Sequence, residues 1–247
     1  MTDGAGSQRI AADAGELARL AAAEVLAHAR RALVERGVFH VALAGGSTPR
    51  AAYRELARSG ASFARWHAWF GDERCVPPDH PDSNYRMALE AWLGTVPAAP
   101  EVHRLRGEAP PEEEARRYAA ELDQHLGPAP RLDLVLLGVG ADGHTASLFP
   151  GSAALDSRSA VAVAHAPRPP VERLTLTLPV LNGARAVLFL VAGSDKRAAL
   201  SAARSNAPGA PKIPAACVRP EGELLWLVDP AAAGSSAAGG GGSGGGI

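Results

Sequence analysis

The chain has 247 residues, 47% of them hydrophobic and 21% charged, which is enough to bury one large α/β core or two small ones. Its formal net charge of −1 excludes a broad nucleic-acid footprint and a polybasic membrane tether, but it permits a local cluster of cations such as an anionic metabolite requires. Only two cysteines occur, Cys75 and Cys217, so neither a disulfide framework nor a zinc-type pair is readable. The N-terminal stretch MTDGAGSQRIAADAG lacks the pattern of a secretory signal, and no apolar run approaches the roughly 18–20 residues that span a bilayer. The expectation is a cytoplasmic protein, monomeric or weakly self-associating.

In chain order, Glu16–Arg36 reads as an Ala/Leu-rich helix stopped by Gly37. Val38–Ala44 and Trp66–Phe70 read as strands, with a helix beginning near Arg50 between them, N-capped by Thr48 and with Pro49 at its first position. Pro110 and Pro111 followed by three glutamates open another helix, which carries Tyr118, Leu122 and Leu126 on one stripe and ends at Gly127-Pro128. Further strands are expected at Leu132–Leu137, Leu174–Leu178, Ala186–Val191 and Leu224–Val228. Several of these are continuously apolar, as strands buried on both faces are. Strands alternating with helices predict a single-domain, mostly parallel, Rossmann-like α/β sheet with helices on both faces, over residues 1–230. Residues 231–247, AAAGSSAAGGGGSGGGI, read as a flexible tail.

In such sheets ligands sit beyond the carboxyl ends of strands, and four loops there carry chemistry. Gly45, Gly46, Ser47 and Thr48 form a turn whose amides and following helix dipole suit an anion. Ser47 lacks the second glycine of a nucleophile elbow. Asp72-Glu73-Arg74 puts three charges at the end of an apolar strand, and Arg74 is suited to clamping a phosphate or carboxylate; Ser83-Asn84 reads as a helix N-cap. Gly138, Gly140 and Gly143 imitate a dinucleotide fingerprint, but the following helical stretch ends at Pro150-Gly151 and no acidic residue closes a second strand. That loop instead offers His144 as a general base, with Asp142 to fix its tautomer. A metal role for this pair lacks a third ligand at convincing spacing, so neither a metal nor a cofactor is expected. The fourth loop, Gly193-Ser194-Asp195-Lys196, places a lysine where a bound anion would offset the helix dipole. One imidazole, two cations and an amide-rich turn would face a single crevice, which is equipment for proton-transfer chemistry on a phosphorylated small molecule.

The stretches VALAGGSTPRAAY, WFGDERCVPPDHPDSNYRMA, LDLVLLGVGADGHTASLFPGS, ERLTLTLPVLN and VLFLVAGSDKRAAL resemble, in order and at normal separations, the 6-phosphogluconolactonase family, over roughly residues 15–228. The resemblance implies metal-free hydrolysis of a sugar-phosphate lactone, 6-phospho-D-glucono-1,5-lactone, in the oxidative pentose phosphate pathway. It implies a fold of the glucosamine-6-phosphate deaminase / ribose-5-phosphate isomerase type. It also implies that the histidine of Asp142-Gly143-His144 is the general base, and that Arg74 and Lys196 contact substrate or phosphate. The turn Gly45–Thr48 would line the same pocket, and Arg173, at the head of the TLTLP segment, also matches the pattern. The related deaminases carry a glutamate seven residues after that aspartate and a tyrosine in the acidic loop; here those places hold Phe149 and Arg74. Three rival readings remain: a deaminase or isomerase, a sugar-phosphate sensor without catalysis, and, more distantly, a nicotinamide-linked oxidoreductase.

Overall fold

The computed structural model describes residues 6–205 and 213–234. Ten strands are seen: β1 (Ser7–Ile10), β2 (Phe39–Leu43), β3 (Trp66–Phe70), β4 (Asp72–Arg74), β5 (Glu101–Val102), β6 (Leu134–Leu137), β7 (Val161–His165), β8 (Glu172–Leu176), β9 (Ala186–Val191) and β10 (Glu223–Val228). The α-helices are α1 (Ala14–Arg36), α2 (Ser47–Arg58), α3 (Asn84–Ala88), α4 (Pro111–Leu126), α5 (Leu178–Gly183), α6 (Arg197–Arg204) and α7 (Pro230–Ala233). Seven strands form one parallel sheet in the order β1-β10-β9-β6-β2-β3-β5, and β4-β8-β7 form a small antiparallel sheet beside it.

The chain leaves β2 for β3 and β5 in one direction, and β6 for β9 and β10 in the other. Right-handed crossovers therefore put α1 and α2 on one face and α4 and α6 on the other. This bears out the covered parallel sheet. The continuously apolar strands β2, β6 and β9 are buried along their whole length because both faces are covered. On the α2 side Phe39, Phe63, Trp66 and Trp92 meet edge to face. Between β9 and β10, Phe189 and Trp226 stack at 3.9 Å. Asp13 caps α1 by accepting from the Glu16 amide, and Gly37 ends the helix in the left-handed conformation that residues with a Cβ rarely adopt.

Several expectations shift. Helix α2 begins at Ser47, with Gly46 as its N-cap, so Thr48 is not the cap and Pro49 is not the first helical residue. Gly46 makes the turn at φ 107°, which starts the helix earlier than a Thr48 cap would allow. The strand expected at Leu174–Leu178 lies at Glu172–Leu176 and pairs antiparallel with β4 and β7, outside the parallel sheet. Its end is set by α5, in whose first turn Pro179 needs no amide partner. No helix spans residues 144–150 after the Gly138–Gly143 loop; Thr145 and Leu148 close an isolated bridge there instead. Four short strands (β1, β4, β5 and β7) were not foreseen. Residues 231–233, assigned to the tail, belong to α7, which Asp229 caps; residues 235–247 lie outside the described residues. No described helix is long and apolar enough to cross a membrane.

Candidate active site

The strand order reverses between β2 and β6, and a crevice must open beyond their carboxyl ends. The loops leaving β2 and β6 are Ala44–Thr48 and Gly138–His144; those leaving their neighbours β3 and β9 are Gly71–Arg74 and Gly193–Lys196. All four loops singled out in the sequence thus meet by topology. Two confluent cavities of about 220 and 640 Å³ occupy the place and share Asp72, Arg74, Gly140, His144, Ala146 and Lys196 as walls.

His144 is held by its own loop. Its Nδ1 lies 2.6 Å from Oδ1 of Asp142, which also accepts from the His144 amide at 3.1 Å. Burial works against ionisation of Asp142, yet these hydrogen bonds to His144 hold its carboxyl below the ordinary range. An ionised Asp142 places the imidazole proton on Nδ1 and leaves Nε2 with its lone pair. Gly140 is required by packing, because a Cβ there would lie 2.0 Å from Nδ1 of His144. Gly143 turns the chain at φ 83°, and its carbonyl accepts from the Ala215 amide. Phe149 covers one side of the ring at 4.8 Å.

The cations face this imidazole. Arg74 on β4 is the register partner of Arg173 on β8, so two guanidinium groups stand side by side. Burial, and then Arg74, pull Arg173 below its ordinary pKa, and the Nε atoms of both arginines are buried without a hydrogen-bond partner. Unpaired like charges are costly unless an anion joins them. One anchor for Arg74 is the Asp82 carbonyl, at 2.5 Å from Nη1. Lys196 enters from the start of α6 with its Nζ 2.9 Å from Asp195. Gly45 and Gly46 line the crevice; Ser47 and Thr48 lie in the first turn of α2 and are not among its walls.

Residues that sequence reasoning did not assign hold this arrangement in place. Buried Glu73 accepts from the amides of Arg74, Asn84 and Tyr85, each at 2.7 Å, and from the Ser83 hydroxyl at 3.0 Å. It ties the start of α3 to β4, while Ser83 caps α3 as read from the sequence. Asn84 and Ser147 donate to the two carboxylate oxygens of Asp72. Gly45 permits this, since a Cβ would overlap Asn84. Tyr53, fully buried, bridges the amide and carbonyl of Ala44 and so fixes the glycine turn. Arg168, at the crevice wall, was also missed; it arrives on the β7–β8 loop, which carries no motif.

The model of a family described as "Glucosamine-6-phosphate isomerases/6-phosphogluconolactonase" matches residues 12–226. The chain belongs to this family of enzymes. It is 43% identical over 210 residues to a 6-phosphogluconolactonase of Synechocystis, covering 82% of this chain and 86% of that one. A solved 6-phosphogluconolactonase from Trypanosoma cruzi superposes with a TM-score of 0.84 at 28% identity, covering 93% of this chain and 96% of the other. A monomeric glucosamine-6-phosphate deaminase shares the fold, with a TM-score of 0.78 at 24% identity over 93% of this chain and 100% of that one.

Proposed function

We propose that this chain hydrolyses 6-phospho-D-glucono-1,5-lactone to 6-phospho-D-gluconate in the oxidative pentose phosphate pathway, with His144 as general base. The observation that carries this reading is an imidazole held through Nδ1 by Asp142, in a crevice whose other walls carry Arg74, Arg173 and Lys196. The cations and the Gly45-Gly46 turn bind the phosphate and orient the ring. Nε2 of His144 takes a proton from water as the water oxygen attacks the lactone carbonyl, and Asp142 stabilises the imidazolium. A donor in the crevice supports the tetrahedral oxyanion. Collapse breaks the bond from the carbonyl carbon to the ring oxygen, and the imidazolium returns its proton to that oxygen. Water and lactone become an acid and an alcohol, with no metal or redox step. The free thiols Cys75 and Cys217 suit a cytoplasmic setting.

A deaminase needs a further carboxylate beside the histidine, and the apolar ring of Phe149 packs there instead. That neighbour favours the lactonase reading. The test follows lactone disappearance against its spontaneous hydrolysis, with wild-type and His144→Ala protein side by side. General-base catalysis is worth about 10²–10⁴-fold, and the variant should lose turnover by that factor while still binding 6-phosphogluconate. Near-wild-type turnover in the variant, or ammonia release from glucosamine 6-phosphate by the wild type, overturns the assignment.

A further inference from the structure

Four of the eight histidines gather on the sheet face under α4, away from the crevice. Strand register puts them there. His40 on β2 faces His67 on β3, and His67 faces Glu101 on β5. Two residues on, with side chains on the same face, stand Trp69 and His103; the His103 amide extends the ladder by donating to Ala68. Helix α4 crosses above, and His125 lies seven residues beyond Tyr118 on the same stripe. Nδ1 of His67 is 2.9 Å from Nε2 of His103, and one ring nitrogen from each of His67, His103 and His125 lies within 4.8 Å of the other two. Glu101 brings its carboxylate oxygens to 3.8 and 3.6 Å from those same nitrogens of His67 and His103.

We propose that His67, His103 and His125, with Glu101, bind a divalent transition-metal ion, with zinc as the best fit. Three imidazoles and a carboxylate make a donor set that a tetrahedral zinc ion accepts. The surroundings are those of a ligand site. His103 turns its other ring nitrogen, Nδ1, to Glu121 at 2.7 Å and donates its single ring proton there, to the kind of outer carboxylate that usually orients a metal-bound imidazole. Arg117 in turn binds Glu121. Trp69 stacks on the His103 ring at 3.9 Å and 9°, which fixes its plane. His103 is buried and His125 is exposed, so the site is rigid on one side and open to solvent on the other.

The proton inventory is consistent with metal entry. Glu121 keeps the His103 proton on Nδ1, so without metal Nε2 accepts the Nδ1 proton of His67. A metal ion takes that proton's place between the rings, and His67 carries its proton on Nε2 instead. His40 stays outside the set because its Nδ1 accepts from the Trp69 indole at 3.1 Å. His67 precedes Asp72 by five residues, roughly 16 Å at the rise of an extended chain, so the ion would staple the last turn of α4 to β3 and β5 without touching the crevice.

The test is equilibrium dialysis of tag-free chain against zinc chloride, with metal counted per chain, in a His144→Ala background that removes the crevice imidazole. One zinc per chain is expected. Glu121→Gln should weaken binding roughly 10–100-fold, and His125→Gln and Glu101→Gln, both at exposed positions and so compatible with folding, should weaken it at least as much. Cobalt(II) should show the visible absorption of a tetrahedral site, lost in the same variants. Absence of stoichiometric zinc, or binding that His125→Gln and Glu101→Gln leave unchanged, overturns the proposal. Neither result bears on lactone hydrolysis, because the readout is metal content.

Discussion

At the crevice, His144 is fastened through one ring nitrogen and its other nitrogen is left unused, while Arg74 and Arg173 stand side by side with buried Nε atoms that no described group satisfies. Under α4, His40, His67 and His103 hydrogen-bond and stack among themselves and with Trp69. The first region leaves polar capacity for a small molecule; in the second, His40, Trp69 and the Nδ1 of His103 are satisfied internally, and the atoms His67 and His103 share with each other are those the proposed metal would take over. An active site keeps reactive atoms free by anchoring each side chain through a different atom. A packed polar cluster stabilises by satisfying its members, so substitutions in the two regions should separate activity from stability.

The largest separation is expected from Gly140→Ala. The added Cβ would lie 2.0 Å from Nδ1 of His144 and 2.5 Å from Oδ1 of Asp142, so the imidazole must leave its anchor. Turnover should fall about 10²–10⁴-fold, as for loss of a general base, with KM and the urea midpoint nearly unchanged. Unchanged kcat would mean that the Asp142–His144 contact does not position the base.

The histidine cluster should show itself through acid instead. Burial, and then the neighbouring imidazoles, push the His40 pKa down to about 3. Between its unfolded value near 6.5 and that folded value, the unfolded chain binds the extra proton, so stability falls as the pH falls. The slope from one such proton is at most roughly 1.4 kcal/mol per pH unit, reduced by the solvent that reaches the ring edge. Urea midpoints measured from pH 7 to pH 4 should drop accordingly, and His40→Asn should flatten the decline. An equal decline in that variant would assign the acid lability to other groups.

Glu73 links the two behaviours, since it is fully satisfied yet positions the crevice. Burial pushes its carboxyl above the ordinary value, against the pull of three amides. Glu73→Gln turns one acceptor into an N–H that faces donors, and should cost about 1.5–3 kcal/mol, as for hydrogen bonds to a charged group. It should also raise KM by loosening Arg74. A stability loss with KM untouched would confine Glu73 to holding α3.

Much of this was legible in the sequence, and what was not has physical reasons. The apolar runs of β2, β6 and β9 announce two-sided burial, and glycines and charges at strand ends mark the loops that the sheet order brings together. The small antiparallel sheet was illegible because β4 has three residues and β7 alternates weakly, so neither exceeds the background of loop sequence. Ser147 reaches Asp72 across 75 residues, Asn84 reaches it across 12, and Arg168 joins the crevice from a distant loop, separations that no local pattern records. The same holds for His67, His103 and His125, which lie on two strand segments and a helix and meet only through register.

The smallest effect separates the phosphate grip from the chemistry. Lys196 stands 2.9 Å from an exposed Asp195, and under the proposed function the substrate phosphate would compete with that carboxylate. Lys196→Ala should raise KM about tenfold, equivalent to roughly 1.4 kcal/mol, with kcat little changed, because the phosphate is remote from the bond being broken. Asp195→Asn removes the competitor and should lower KM by a smaller factor. Opposite movements of KM at constant kcat would assign Lys196 to the phosphate. If Lys196→Ala instead lowered kcat alone, the lysine would be acting on the oxyanion, and Arg74 and Arg173 would be left to hold the phosphate.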